Sequence, residues 1–215
     1  MLDDRQAWIK YPRYRKWFNK LYVAETMGYD CGPSGVPPSI SGQYVVRPVY
    51  NISGMGVGAS LQQIEAGDVS KVPPGYFWVE KFEGPHITVD LKFKNDIRPK
   101  WEVVSCYQGW KESGELTHFS RWTKETFDLD IPYQINELSS VPVINLEFIG
   151  DRLIEVHLRG NPDPQCDEII PIWEGEECRV DNLSDMGYYC VLQPDDADGF
   201  LSKGRIGFMI KENEE

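Results

Sequence analysis

The stretch NLEFIGDRLIEVHLRGNPD, Asn145 to Asp163, reads as two strands joined through IGDR, a connection short enough for a hairpin. Side chains two apart on a strand share a face, so Glu155, His157 and Arg159 line one side of the second strand. The hairpin brings Glu147 across to that side. Two carboxylates with an imidazole or amide make a hard-oxygen site suited to Mg2+, which prefers carboxylates together with substrate phosphates. The same spacing also fits an exposed polar face of an antiparallel sheet, with Arg159 pairing with Glu155.

Outward from this hairpin the chain is rich in short strands. Val141–Phe148 and Leu153–Leu158 form the hairpin itself, HITVDLKF (His86–Phe93) alternates cleanly, and WEVVSCYQ (Trp101–Gln108) follows as its neighbour. Tyr44–Val49 and Phe77–Phe82 read as strands, with a short polar segment, Leu61–Asp68, between them. Further short strands fall around Ile169–Trp173, Tyr188–Leu192 and Ile206–Ile210. Near the start, Trp17, Leu21 and Ala24 recur at near-helical spacing, so Tyr14–Met27 reads as one helix, broken by GYDCGPSGVPPS. No repeat, low-complexity tract or long linker interrupts the chain. The pattern is a strand-rich α+β fold with mostly antiparallel strands.

The 215 residues are enough for one substantial core or two lobes sharing a cleft. A net charge of -12 repels phosphate backbones, which excludes broad nucleic-acid binding. The basic cluster KYPRYRKWFNK, Lys10 to Lys20, then reads as a helix with a basic solvent face and an aromatic core face. Five cysteines without CxxC spacing argue against a zinc ribbon and a secreted disulfide framework. No run approaches the roughly 20 apolar residues of a membrane span, and the N-terminus lacks a signal core. A soluble, reduced, cytoplasmic protein is expected.

Two further stretches carry chemistry. In YVVRPVYNISGMGVGA, Tyr44 to Ala59, Gly54, Gly56 and Gly58 free successive backbone N–H groups to approach phosphate oxygens, and Arg47 adds a fixed positive charge. It is neither a Walker A loop nor a Rossmann fingerprint, since no Lys-Ser/Thr or correct glycine spacing is present. A flexible hairpin is the plainer use of the same residues. In WVEKFEGPHITVDL, Trp78 to Leu91, a strand ending in Glu80, Lys81 and Phe82 offers a carboxylate, an ammonium and free backbone groups that can hydrogen-bond an adenine. Glu80 and Lys81 also fit an exposed charge pair on an edge strand.

These three segments, in this order from Trp17 to Gly160, resemble the ATP-grasp superfamily. VVRPVYNISGMGVGA is similar to that family's lysine strand and glycine-rich phosphate loop, with Arg47 in place of lysine. Asn19-Lys20 resembles its earlier DK-type motif, WVEKFEGPHITVDL its adenine-hinge strand, and NLEFIGDRLIEVHLR its metal-binding strands, which end in E-x-N-x-R. The resemblance implies two strand-rich subdomains whose antiparallel sheets clasp a nucleotide cleft, divided as residues 1–83 with the glycine loop and 84–215 with the metal strands and a C-terminal β extension. It implies ATP contacts from Lys20, Arg47, the loop residues Gly54, Met55, Gly56 and Gly58, the hinge residues Glu80, Lys81 and Phe82, and His86 at a ribose position. Glu147 and Glu155 would ligate Mg2+, with His157 in place of the usual asparagine and Asn161 as that asparagine's substitute. Arg159 would meet the substrate carboxylate or acyl phosphate.

Arginine at 47 keeps the lysine's charge and gains a bidentate fork. Histidine at 157 suits softer metals and points toward Mn2+ or lost catalysis. The short stretch before Tyr44 leaves the family's N-terminal lobe reduced, to be supplied by a homo-oligomer or partner chain. The resemblance thus implies an ATP- and Mg-dependent ligase that activates a small-molecule or peptide carboxylate for attack by an amine, with Arg159 and Arg47 as catalytic cations. The competing expectation is a non-catalytic nucleotide-binding or protein-interaction module. Arg121 is read as a surface cation stacked on Trp122, and Asp181, Asp185, Asp195 and Asp196 as ordinary acidic turn residues.

Overall fold

A computed structural model describes residues 2–50, 56–96, 100–111, 116–163, 165–176, 178–192 and 205–211. Among these, two antiparallel sheets dominate. The smaller contains β1 (Cys31–Pro33), β2 (Gly42–Pro48), β3 (Ser60–Ile64) and β4 (Tyr76–Glu80), in the order β1-β4-β2-β3. The larger contains β5 (His86–Lys94), β6 (Lys100–Lys111), β7 (Phe119–Lys124), β8 (Ile144–Ile149), β9 (Arg152–His157), β10 (Glu168–Trp173), β11 (Tyr188–Leu192) and β12 (Arg205–Lys211). Its order is β11-β12-β10-β7-β6-β5-β8-β9.

The strand-rich α+β pattern is therefore observed, with several elements that the sequence reading lacked. The polar segment after the glycine loop is β3, an edge strand paired with β2 from Gly42↔Ile64 to Val46↔Ser60. Polar Ser60 and Gln62 share the inner side with buried Ile64 while Leu61 is exposed, so the strand has neither an apolar run nor a clean alternation to betray it. β7 was also unforeseen, as was α1 (Asp4–Lys10), which is closed by a capping box in which Gln6 N donates to Asp3 Oδ1 at 2.7 Å and Asp3 N donates back to Gln6 Oε1 at 3.1 Å.

The single helix expected over Tyr14–Met27 is two pieces. Pro12 opens a 3-10 turn, Pro12–Phe18, which stops at Asn19 in an extended conformation. Asn19 Oδ1 then accepts from Tyr22 N at 2.9 Å and caps α2 (Lys20–Thr26). The short amide offers the backbone an alternative to continuing the helix, which is the physical reason for the break. One consequence is that Lys20 N bonds Val49 O at 2.9 Å, docking the start of α2 beside the end of β2.

The larger sheet buries one face. Ile87, Val89 and Leu91 of β5, Leu146 and Phe148 of β8, and Leu153 and Val156 of β9 pack with Ala7, Trp17, Phe18 and Val23 from the N-terminal helices and with Ile135 and Leu138 of a second 3-10 turn. Ala24, one residue after Val23, packs instead with Phe77 and Val79 of the smaller sheet. α2 is thus wedged between the sheets, with Val23 in the core of the larger and Ala24 and Leu21 in that of the smaller. The sheets themselves part between Glu80 and His86. Among the described residues no helix is long and apolar enough to cross a membrane, and Cys31, Cys106, Cys166 and Cys190 are free thiols.

Candidate functional site

Alternation on β5 and β8 sends every second residue to the face opposite this core. His86, Thr88 and Asp90 lie there beside Asn145 and Glu147, in register as His86↔Ile149, Thr88↔Glu147 and Asp90↔Asn145. β9 completes the set, with Glu155 directly opposite Glu147 and His157 opposite Asn145. A bulge between Glu147 and Phe148 lets Leu153 return to the apolar side. The hairpin turns at Gly150, φ +60°, where an added Cβ would meet Glu83 O at 2.9 Å. Only glycine allows the turn to press this closely on the link between the sheets.

Cations reach the carboxylates from outside the larger sheet. Arg47 of β2 donates from Nη2 to Glu155 Oε2 at 2.8 Å, and Lys20 of α2 forms an ion pair with the same oxygen. Both cations and Glu155 are buried. His157 Nε2 lies 3.4 Å from Glu147 Oε1 and 3.4 Å from Glu155 Oε1, between the two carboxylates. Its Nδ1 faces Asp4 Oδ1 at 3.1 Å. The donor atoms of Glu147, Glu155 and His157 all lie within 4.8 Å of one another, a spacing that one cation can bridge.

The charges follow from these contacts. Burial works against a charged His157, but the Asp4 carboxylate and the hydrogen bond to Glu147 outweigh it and raise the imidazole from 6.5 to about 9. Burial also opposes ionised Glu155, yet the Lys20 ammonium, with help from His157 and Arg47 and against the like charge of Glu147, holds it below its ordinary value. Burial likewise opposes ionised Glu147, and the two imidazoles, His157 and His86, hold it well below the ordinary carboxylate range. Lys20 is shifted down, because burial and Arg47 exceed the pull of Glu155. The cluster is therefore an ionised carboxylate pair with an imidazolium proton between its members, where a divalent cation would compete.

The remaining expected residues divide. His86 joins this cluster, its Nε2 3.3 Å from Glu147 Oε2 and its ring edge-on to Phe119 and Trp122; its Nδ1 is buried without a hydrogen-bond partner. Glu80 Oε1 accepts from Asp30 N at 3.1 Å, Lys81 pairs with exposed Glu83 at 2.5 Å, and Phe82 packs on Tyr29 with centroids 4.7 Å apart. Gly56 and Gly58 form a positive-φ turn that approaches Thr117 and Tyr76, while Gly54 and Met55 lie outside the described residues. Asn161 does not join the carboxylates: its N donates to Asp90 Oδ1 at 2.9 Å and its Oδ1 accepts from Asp163 N at 3.1 Å. Arg159 does not pair with Glu155 but donates from Nη2 to Asp4 Oδ2 at 2.7 Å. Arg121 stacks on Trp110, not Trp122, and lies 3.7 Å from Glu168. Asp185 ends a helix, α3 (Cys178–Asp185), which also includes Asp181, so these two do not sit in a turn; Asp195 and Asp196 lie outside the described residues.

Two groups of polar residues escaped the sequence reading. Asp90 accepts from Ser105 Oγ at 3.1 Å and Asn145 Nδ2 at 2.9 Å, and Asn145 also donates to Thr88 Oγ1 at 2.8 Å. The alternation of HITVDL contained that signal, since it places Thr88 and Asp90 on the side of His86. Asp4 had no such signal, being separated from its partners by most of the chain.

No protein-family model matches the sequence, and no curated protein matches it. Solved structures do. An N5-carboxyaminoimidazole synthetase from Staphylococcus aureus superposes with a TM-score of 0.56 at 8% identity, covering 100% of this chain and 74% of that one. The same synthetase complexed with ADP gives 0.54 at 9% identity over 95% of this chain and 70% of that one. The fold is ATP-grasp. A carboxyaminoimidazole ribonucleotide synthase from Aspergillus clavatus complexed with ATP gives 0.51 at 10% identity, over 93% of this chain and 69% of its own. Identities this low carry the ATP-grasp architecture and nothing about substrates.

Proposed function

We propose that this chain binds ATP with a divalent cation between its two sheets and activates a carboxylate as an acyl phosphate for attack by an amine. One observation carries the proposal: Glu147 and Glu155 face each other across β8 and β9 while Arg47 and Lys20 meet Glu155 from β2 and α2. Such a meeting of buried charges costs desolvation and is weak as a device for stability. It suits a polyphosphate and its cation, which bring the same charges together. Related solved structures complexed with ADP or ATP support nucleotide as the ligand class.

In this proposal Arg47, Lys20 and the loop around Gly54, Met55, Gly56 and Gly58 hold phosphates, and Glu80, Lys81 and Phe82 meet the adenine. Glu147 and Glu155 fit Mg2+, and His157 fits as a third ligand once its shared proton leaves, a donor set that also suits Mn2+. The cation's contribution is to neutralise phosphate charge. A substrate carboxylate oxygen attacks the γ-phosphorus and ADP leaves; an amine then attacks the acyl carbon and phosphate leaves, with the amine's proton released. The chain's share is positioning and electrostatics, with Arg159 assigned to the acid. The acid and amine are small molecules or peptides, and a second copy or partner chain completes the acceptor side. The free thiols suit a reducing compartment, and the cytoplasm is where we place the reaction.

A non-catalytic nucleotide-binding or protein-interaction module is favoured by one observation, that Asp4 already occupies both Arg159 and His157. Thermal unfolding tests the first reading. ATP with Mg2+ raises the melting temperature, since a native-state ligand at 100 times its Kd adds about 2.7 kcal/mol. Glu155→Gln removes the metal-dependent part. Absence of any shift at saturating nucleotide overturns the reading, and ADP release on adding carboxylates and amines separates ligase from module.

A further inference from the structure

The contact between α1 and the end of β9 decides what can enter the site. Asp4 is buried, and its carboxylate receives Nη2 of Arg159 at 2.7 Å and Nδ1 of His157 at 3.1 Å. Arg159 Nη1 is spent as well, donating to Gly160 O at 3.0 Å. A planar guanidinium offers its donors in a fixed fork suited to one carboxylate. Here one arm of the fork holds the chain's own Asp4 carboxylate and the other a backbone carbonyl.

The element carrying Asp4 is lightly held. α1 has seven residues, and only Asp4 and Ala7 among them are buried. Trp8 packs half-buried on Phe18 and Tyr50, with centroids 5.5 and 5.9 Å away, and Arg15 covers its other side. Arg5, Gln6, Ile9 and Lys10 face solvent. A helix this short does not persist alone in water, so its helicity depends on docking. The Asp4 carboxylate, Ala7, the Trp8 ring and a hydrogen bond of 2.9 Å from Arg15 Nε to Trp8 O are among its attachments.

The geometry points to Asp4 as a specificity-determining residue that occupies the carboxylate subsite at Arg159 and must be displaced before a substrate acid can bind. This rests on the ligase reading only in assigning Arg159 to the acid. Asp4 is tethered, so it competes at a high effective concentration. A simple acid displaces it only at high concentration, and an acid with further contacts of its own prevails at low concentration. A subsite open for only about a tenth of the time has its apparent affinity lowered about tenfold.

The test uses the full chain and acetate as the probe. In wild-type protein, sodium acetate speeds amide hydrogen exchange across Asp3–Lys10, and sodium chloride at equal ionic strength does not. In Asp4→Asn, which keeps the shape and loses the charge, that segment exchanges fast without acetate, and acetate binds about tenfold more tightly. A purely structural ion pair predicts a lower melting temperature in Asp4→Asn with no acetate response in either protein, and that result overturns the proposal. The wild-type measurement stands even if the variant fails to fold. Stabilisation by ATP and Mg2+ is measured in parallel: acetate opening without nucleotide stabilisation upholds the role of Asp4 and overturns the ligase, and the reverse pattern overturns the role of Asp4 alone.

Discussion

The two faces of the larger sheet are built from alternate residues of the same strands, yet they follow opposite rules. On one, Ile87, Val89, Leu91, Leu146 and Phe148 are dry and apolar and pack under the N-terminal helices. On the other, His86, Thr88, Asp90, Asn145 and Glu147 meet buried cations and hydrogen-bond partners. The apolar face stabilises by removing surface from water and needs no exact partner. The polar face must satisfy every donor and charge merely to break even. The polar face is thus a weak source of stability, which is why the proposed function is placed on it.

The comparison is broken most forcefully from the apolar side. Phe148→Ala leaves a cavity in the core and lowers the unfolding free energy by about 3–5 kcal/mol in denaturant titrations, with any folded fraction still binding nucleotide. Glu155→Gln attacks the polar face and strands Lys20 and Arg47 without their carboxylate, at a cost of about 3 kcal/mol. The additional change Lys20→Met returns part of that stability and removes the metal-independent part of nucleotide stabilisation as well. If both variants lose stability and nucleotide binding alike, the two faces do not differ in kind.

pH separates the faces without mutation. His157 has its folded-state pKa raised from 6.5 to about 9, so its contribution is complete below about pH 6.5 and is lost as pH rises through 9. In metal-free protein this amounts to an alkaline loss on the order of 3 kcal/mol. Asp4 is depressed by His157 and Arg159 despite its burial, so its contribution is present above its ordinary value and is lost only on strong acidification. His157→Asn flattens the alkaline slope in urea titrations run from pH 6 to 10; an unchanged slope would assign it to other groups.

Smaller effects sharpen the boundary of the site. Thr88→Val removes an acceptor from Asn145 and costs about 1 kcal/mol, read by thermal melts. Lys81→Ala touches only an exposed pair with Glu83 and changes stability by less than about 0.5 kcal/mol. Its ATP affinity is the informative measurement: a loss supports the adenine role, and no change leaves Lys81 as an edge-strand charge.

The polar face was partly legible before the fold was known. The hairpin IGDR and the two-residue period bring Glu147, Glu155 and His157 together, and they are together. The same period in HITVDL extends to Thr88 and Asp90, which join Asn145 and Ser105 in one network. Where local pattern competed with capping, it misled. Asn19 ends the 3-10 turn and begins α2, so the helical spacing of Trp17, Leu21 and Ala24 spans a break. β3 was hidden because this edge strand carries polar Ser60 and Gln62 on its inner side and Leu61 on its outer one, which leaves no apolar alternation to read.

By itself the sequence determined the strands, the hairpin and the grouping of carboxylates and imidazole, because each is written in neighbours two residues apart or across a short turn. The tertiary structure alone decided that Lys20 is buried against Glu155, that His86 turns to Glu147, and that Arg159 meets Asp4 across a separation of 155 residues. Those contacts depend on how α1 and α2 dock against a folded sheet. Docking is set by the whole apolar surface, and no local period encodes it.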